Sequence, residues 1–105
     1  MFQLDVASVV CKLGLPHEVE RVTEVGLHAV DVLVRKAGAD VALEVDGPYH
    51  YTTSTPHMAL GSTVLRNRLL RAEGLRVAVV PFYEWRALSV ACRRGYVERA
   101  LTDAW

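Results

Sequence analysis

Glu44 and Asp46 stand two residues apart inside an apolar run, Val41-Ala-Leu-Glu-Val-Asp-Gly-Pro-Tyr-His-Tyr51. On a strand, residues two apart share a face. Both carboxylates therefore leave one side while Val41, Leu43 and Val45 leave the other. A third acid, Asp31, interrupts the preceding apolar run Leu27 to Val34. A hairpin turn centred near Gly38, within Lys36 to Asp40, pairs residues whose numbers sum to about 76–77, which sets Asp31 against Val45 or Asp46. Three carboxylates at one end of a hairpin repel one another, and burial makes each more costly. A divalent cation, an arginine or shared protons can offset this. Oxygen ligands at such density suit Mg²⁺ or Mn²⁺. His50, two residues past a Gly-Pro turn, is placed to fold back over the acids. The plain alternative is a solvated strand end, or pairing with Arg66, Arg68 or Arg35.

The elements that must position these groups are legible from periodicity. Phe2 to Leu13 repeats apolar residues at helical spacing and stops at Gly14 and Pro16. Val19 to Val25 alternates apolar and charged residues, as a half-exposed edge strand does. Leu27 to Val34 and Val41 to Asp46 read as strands, the second of them central. Gly47 to Gly61 holds two prolines, two glycines and two histidines and reads as a loop. Ser62 is expected to cap a helix running to about Glu73, with Leu65, Leu69 and Ala72 on one face. Gly74 ends it. Leu75 to Pro81 reads as a buried strand, and the helix before it makes a right-handed crossover to a parallel neighbour. A short turn or helix from Tyr83 to Leu88 and a last helix from Ala91 to Ala104 follow. The expected order is α-β-β-β-α-β-α, an α/β fold with a small mixed sheet and helices on both faces.

The chain has 105 residues, half of them hydrophobic, which suits one domain across residues 1–105. Its formal charge is zero, so no global field draws it to nucleic acid or membrane. The halves differ: residues 1–60 carry eight acids against four bases, and residues 61–105 carry eight arginines against four acids. Arginine suits bidentate contact with phosphate, although a genomic composition bias gives the same count. Cys11 and Cys92 lack the spacing of a metal site or a disulfide framework and are expected to be buried thiols. No apolar run reaches the length of a membrane span, so no membrane partner is expected. The first residues lack the pattern of a secretory signal.

Three stretches together resemble the RAP domain, a family named for RNA binding and for its abundance in apicomplexan parasites. They are "VALEVDGPYHY", "LGSTVLRNRLLRAEGLRVAVVPFYEW" and "RRGYVERAL". The likeness runs from about Val19 to Leu101. Such domains stand at the C-termini of organellar RNA-processing proteins, including FASTK proteins of mitochondria and helical-repeat proteins of chloroplasts. The resemblance therefore implies RNA as partner, single-stranded where bases must be splayed for stacking. It also implies a helical-repeat region elsewhere in the parent protein and a mitochondrial or plastid location. The family is similar to PD-(D/E)xK nucleases of the very-short-patch-repair branch, which implies a restriction-endonuclease-like core.

Carried over by position, Asp31 matches the first acid of that core and Glu44 the acid of its (D/E)xK strand. Asp46 stands where the lysine would be. His50 falls where that branch keeps a water-activating histidine. The implied chemistry is phosphodiester hydrolysis, with Asp31, Glu44 and Asp46 holding Mg²⁺ or Mn²⁺ and His50 accepting a proton. Arg66 and Arg68 would contact phosphate, and Tyr49 and Tyr51 would stack on bases. Within "VPFYEW", Trp85 is expected in the core. The departure at Asp46 leaves two readings open: a metal-dependent endoribonuclease, or a silent RNA-binding or protein-docking module.

Overall fold

The computed structural model describes residues 2–22, 29–35, 39–47 and 60–104. Helix α1 (Phe2–Lys12) leads into strands β1 (His17–Val22), β2 (Ala29–Val34) and β3 (Val41–Asp46). Helix α2 (Gly61–Ala72), strand β4 (Arg76–Pro81) and helices α3 (Phe82–Ala87) and α4 (Val90–Ala104) follow. The strands form one sheet in the order β1-β2-β3-β4. The first two pairings are antiparallel, and β3 and β4 run parallel. A mixed α/β architecture is thus present. Among the described residues it carries one helix more than expected, because Phe82–Ala87 closes a full turn.

The two faces of the sheet are unlike. On one, Val32, Val34, Val41, Leu43, Val45, Ala78 and Val80 meet Val6 and Val10 of α1 and Val97 and Leu101 of α4. Trp85 is 4 % exposed and fills this layer as expected. Its ring lies 6.0 Å from Phe2 and 6.3 Å from Tyr96, with the Arg93 guanidinium 4.7 Å away. The other face holds a smaller apolar set, Val30, Leu33, Ala42 and Leu70, edged by Leu75 and Val77. All six residues of β3 are buried, as befits an inner strand covered on both sides. Strand β4 is an edge, so it is only partly buried, contrary to expectation: Arg76 is exposed.

Helix α2 turns its sequence pattern inside out. Leu65, Leu69 and Ala72 share one apolar face, yet all three are exposed. The inward stripe is Thr63, Arg66, Asn67 and Leu70. The reason lies across the interface. The sheet face beneath the start of the helix carries Glu44 and Asp46, and buried carboxylates demand donors that leucine lacks. Leu60, not Ser62, occupies the N-cap position, and no side chain caps the helix there.

The far end of α2 closes as the sequence suggests. Gly74 has φ +92°, the Gly74 N–H donates to the Arg71 carbonyl, and the Leu75 N–H reaches back to the Leu70 carbonyl. This is the pairing of a Schellman motif. A Cβ at Gly74 would meet no atom within 4 Å. The cost of Gly74→Ala is therefore purely conformational, about 1–2 kcal/mol, and a urea midpoint should fall accordingly. An unchanged midpoint would mean the left-handed residue is not required.

Both cysteines are exposed, which corrects their expected burial. Cys11 adjoins the inward-facing Val10 on α1, and Cys92 lies one turn before the buried part of α4.

Candidate functional site

The β2–β3 ladder pairs Val34 with Val41, Leu33 with Ala42 and Val32 with Leu43. Carried one residue further, this register sets the Asp31 Cα level with Glu44 rather than with Val45 or Asp46. The side chain makes up the difference: Asp31 Oδ2 accepts the Val45 N–H at 2.8 Å. A carboxylate thus takes the place of a ladder carbonyl, and this contact holds Asp31 against β3. On the N-terminal side, Gln3 Nε2 donates to the Asp31 carbonyl at 3.3 Å.

Asp31, Glu44 and Asp46 come together on the same face, with one oxygen from each within 4.8 Å of the others. Glu44 and Asp46 are fully buried, and Asp31 is half-buried. Arg66, from the inner stripe of α2, donates from Nη2 to Asp46 Oδ1 at 2.8 Å. The same nitrogen lies 3.5 Å from Asn67 Oδ1. Among the described residues, no donor reaches either oxygen of Glu44 or Oδ2 of Asp46, and Nε of Arg66 meets no acceptor.

The arrangement decides how the acids titrate. Burial pushes Glu44 up to about 8, the Asp31 charge and a proton shared with Asp31 add to this, and Arg66 opposes it. An ionised Glu44 finds no donor among the described residues, whereas a protonated one donates to Asp31. Proton sharing and an arginine, two of the three ways of relieving such a cluster, therefore operate together. For Arg66, burial works against the charge, but the Asp46 hydrogen bond and the charges of Glu44, Asp46 and Asp31 outweigh it and raise its pKa.

Asp31 can be separated from burial by substitution. Asp31→Asn keeps an oxygen for the Val45 N–H and removes the negative charge. The Glu44 midpoint, followed by ¹³C NMR of its carboxyl carbon, should fall by about one unit. A midpoint that stays near 8 would leave burial as the whole cause.

Of the expected phosphate contacts, Arg68 is exposed and Arg66 is engaged with Asp46. Arg35 pairs with Glu18 and Asp40, outside the cluster. Tyr49, His50 and Tyr51 lie outside the described residues. Thr63 and Asn67 went unnoticed in the sequence, although their spacing with Arg66 makes a polar stripe on a helix rich in leucine. The open groove between α3 and α4, lined by Glu84, Cys92, Tyr96 and Arg99 among others, contains no member of the acidic cluster.

The three acids, with orphaned buried oxygens, have the donor chemistry of a hard divalent cation. Oxygen-only ligands on neighbouring strands exclude the thiolate or imidazole set of a structural zinc site among the described residues. A family model for the RAP domain matches residues 43–98. The matched stretch is shorter than the resemblance described above. It takes in Glu44, Asp46 and Arg66 and excludes Asp31.

Proposed function

The chain belongs to the RAP domain family, and from that premise we propose that it acts on RNA as a divalent-metal-dependent endoribonuclease. Membership makes it an RNA-associated domain. The finer reading rests on one observation: a fully buried Glu44, with no donor to either oxygen among the described residues, stands beside two further carboxylates. An evolved core keeps such a group only at a cost. Perturbed, desolvated carboxylates of this kind concentrate where chemistry is done.

In this reading Asp31, Glu44 and Asp46 hold Mg²⁺ or Mn²⁺. When bound, the ion supplies Lewis acidity to a phosphodiester and makes water a stronger acid. Asp31 is fixed by the Val45 N–H, so it orients without searching. Arg66 donates N–H groups to phosphate oxygens in the fork geometry that guanidinium provides. His50 accepts the proton of the attacking water, and Tyr49 and Tyr51 stack on single-stranded bases. A helical-repeat region of the same parent protein supplies the sequence preference, and organellar transcripts are the substrates.

A second reading is favoured by a specific contact. Arg66 already neutralises Asp46, as in a domain that binds RNA without cutting it. The deciding assay incubates labelled single-stranded RNA and DNA with the chain and Mg²⁺, Mn²⁺ or chelator. Glu44→Gln and His50→Ala serve as controls. Metal-dependent RNA cleavage, lost in Glu44→Gln and slowed in His50→Ala, is the expected result. RNA binding without cleavage under any divalent metal would establish the second reading.

A further inference from the structure

Arg66 is an incomplete partner for the acids it faces. One guanidinium stands against three carboxylates. Among the described residues only Nη2 is engaged with an acid, at a single Asp46 oxygen, although arginine and carboxylate commonly meet through two parallel bonds. Among the described residues its buried Nε meets no acceptor, and no donor reaches Asp46 Oδ2 or either Glu44 oxygen. The Arg66 side chain keeps 22 % of its surface in solvent while that of Asp46 has none. The guanidinium therefore has a way out that the acids lack. It is the terminus of a long, flexible side chain on α2, and the carboxylates belong to the sheet.

Resting on the reading of the cluster as a divalent-cation site, we propose that Arg66 is an exchangeable internal counter-ion. It holds Asp46 while the acids carry no metal. A divalent cation at Asp31, Glu44 and Asp46 displaces it, and the freed guanidinium binds the RNA phosphate at the mouth of the site. Two cations cannot share Asp46 without mutual repulsion, and the divalent ion satisfies more orphaned oxygens than Arg66 does. The exchange moves one positive charge from the interior to the substrate side, so metal and RNA reinforce each other's binding. Arg66 is a binding residue in this scheme, exposed to phosphate only after the exchange. No covalent step is involved.

The test uses the whole chain at a single, mildly alkaline pH. The Arg66 side-chain Nε–H signal, identified by its loss in Arg66→Lys, is followed by ¹⁵N NMR during a Mg²⁺ titration. It should move and begin fast exchange with water as the site fills. By calorimetry, Arg66→Gln should bind Mn²⁺ at least about tenfold more tightly than wild type, because a competing charge is gone. Mg²⁺ should tighten wild-type binding of a non-cleavable 2′-O-methyl single-stranded oligonucleotide by about tenfold, and Arg66→Gln should lose that coupling. If wild type binds Mn²⁺ while the Arg66 signal stays in place, the exchange is overturned and the cation site stands. Unchanged or weaker Mn²⁺ binding by folded Arg66→Gln overturns it as well. If wild type binds no Mn²⁺, the cation-site reading falls and the exchange falls with it. The NMR arm needs only the wild-type fold, so it decides the matter even if Arg66→Gln does not fold.

Discussion

Glu44→Gln is expected to make the protein more stable at alkaline pH, by on the order of 3 kcal/mol, while abolishing metal-dependent cleavage. The folded protein holds the Glu44 proton up to about pH 8, and the ordinary value is 4.5. Between those values the unfolded chain has released a proton that the folded chain keeps. Stability therefore falls as pH rises through the interval, and the penalty is complete above the folded value. Each unit of difference is worth up to about 1.4 kcal/mol, and water penetration reduces the sum. Glutamine resembles the protonated acid: it can donate to Asp31 and cannot ionise. Urea unfolding of both proteins at about pH 5 and pH 9 measures the effect, with near-equal stabilities expected at the acid end. Mg²⁺ should restore the alkaline stability of wild type and leave the variant unmoved. Parallel pH profiles for the two proteins would show that Glu44 is ionised and partnered in the fold.

The second large effect concerns the one ion pair inside the cluster. Arg66→Met leaves Asp46 without its donor and removes, among the described residues, the only opposing charge acting on Glu44. Breaking a buried pair from one side typically costs 3–5 kcal/mol. With Arg66 partly open to solvent, a loss of about 3 kcal/mol at neutral pH is expected. Adding Asp46→Asn should recover about half of it, since the uncompensated charge is gone. A double-mutant cycle by chemical denaturation yields the coupling directly. A loss below about 0.5 kcal/mol would place this contact with exposed surface pairs.

How far the cluster could be foreseen follows from what each part depends on. Period-2 alternation places Glu44 and Asp46 on one face whatever surrounds the strand, so that pairing was readable from residue order alone. The positions of β2, β3 and β4 followed from β-branched runs, and the end of α2 from Gly74, because these are local preferences of the backbone. The family was legible for the same reason: its motifs are short and stand in a fixed order. The register was not fully readable. A shift of one or two residues in the pairing depends on the turn and on where the ladder stops, and here the Asp31 side chain takes over from the backbone at Val45.

Tertiary structure alone decided three things. It chose which face of α2 turns inward, because Leu65 and Leu69 lost to Thr63, Arg66 and Asn67 once buried carboxylates lay opposite. It selected Arg66 over Arg68 and Arg35 as the cation at the acids, a matter of reach from a packed helix. It also set the protonation of Glu44. The residue's type gives an ordinary acid; its complete burial beside Asp31 makes it one that keeps its proton to about pH 8. Residue order specifies which groups share a strand face, but their solvation and partners arise only when a second element closes over them.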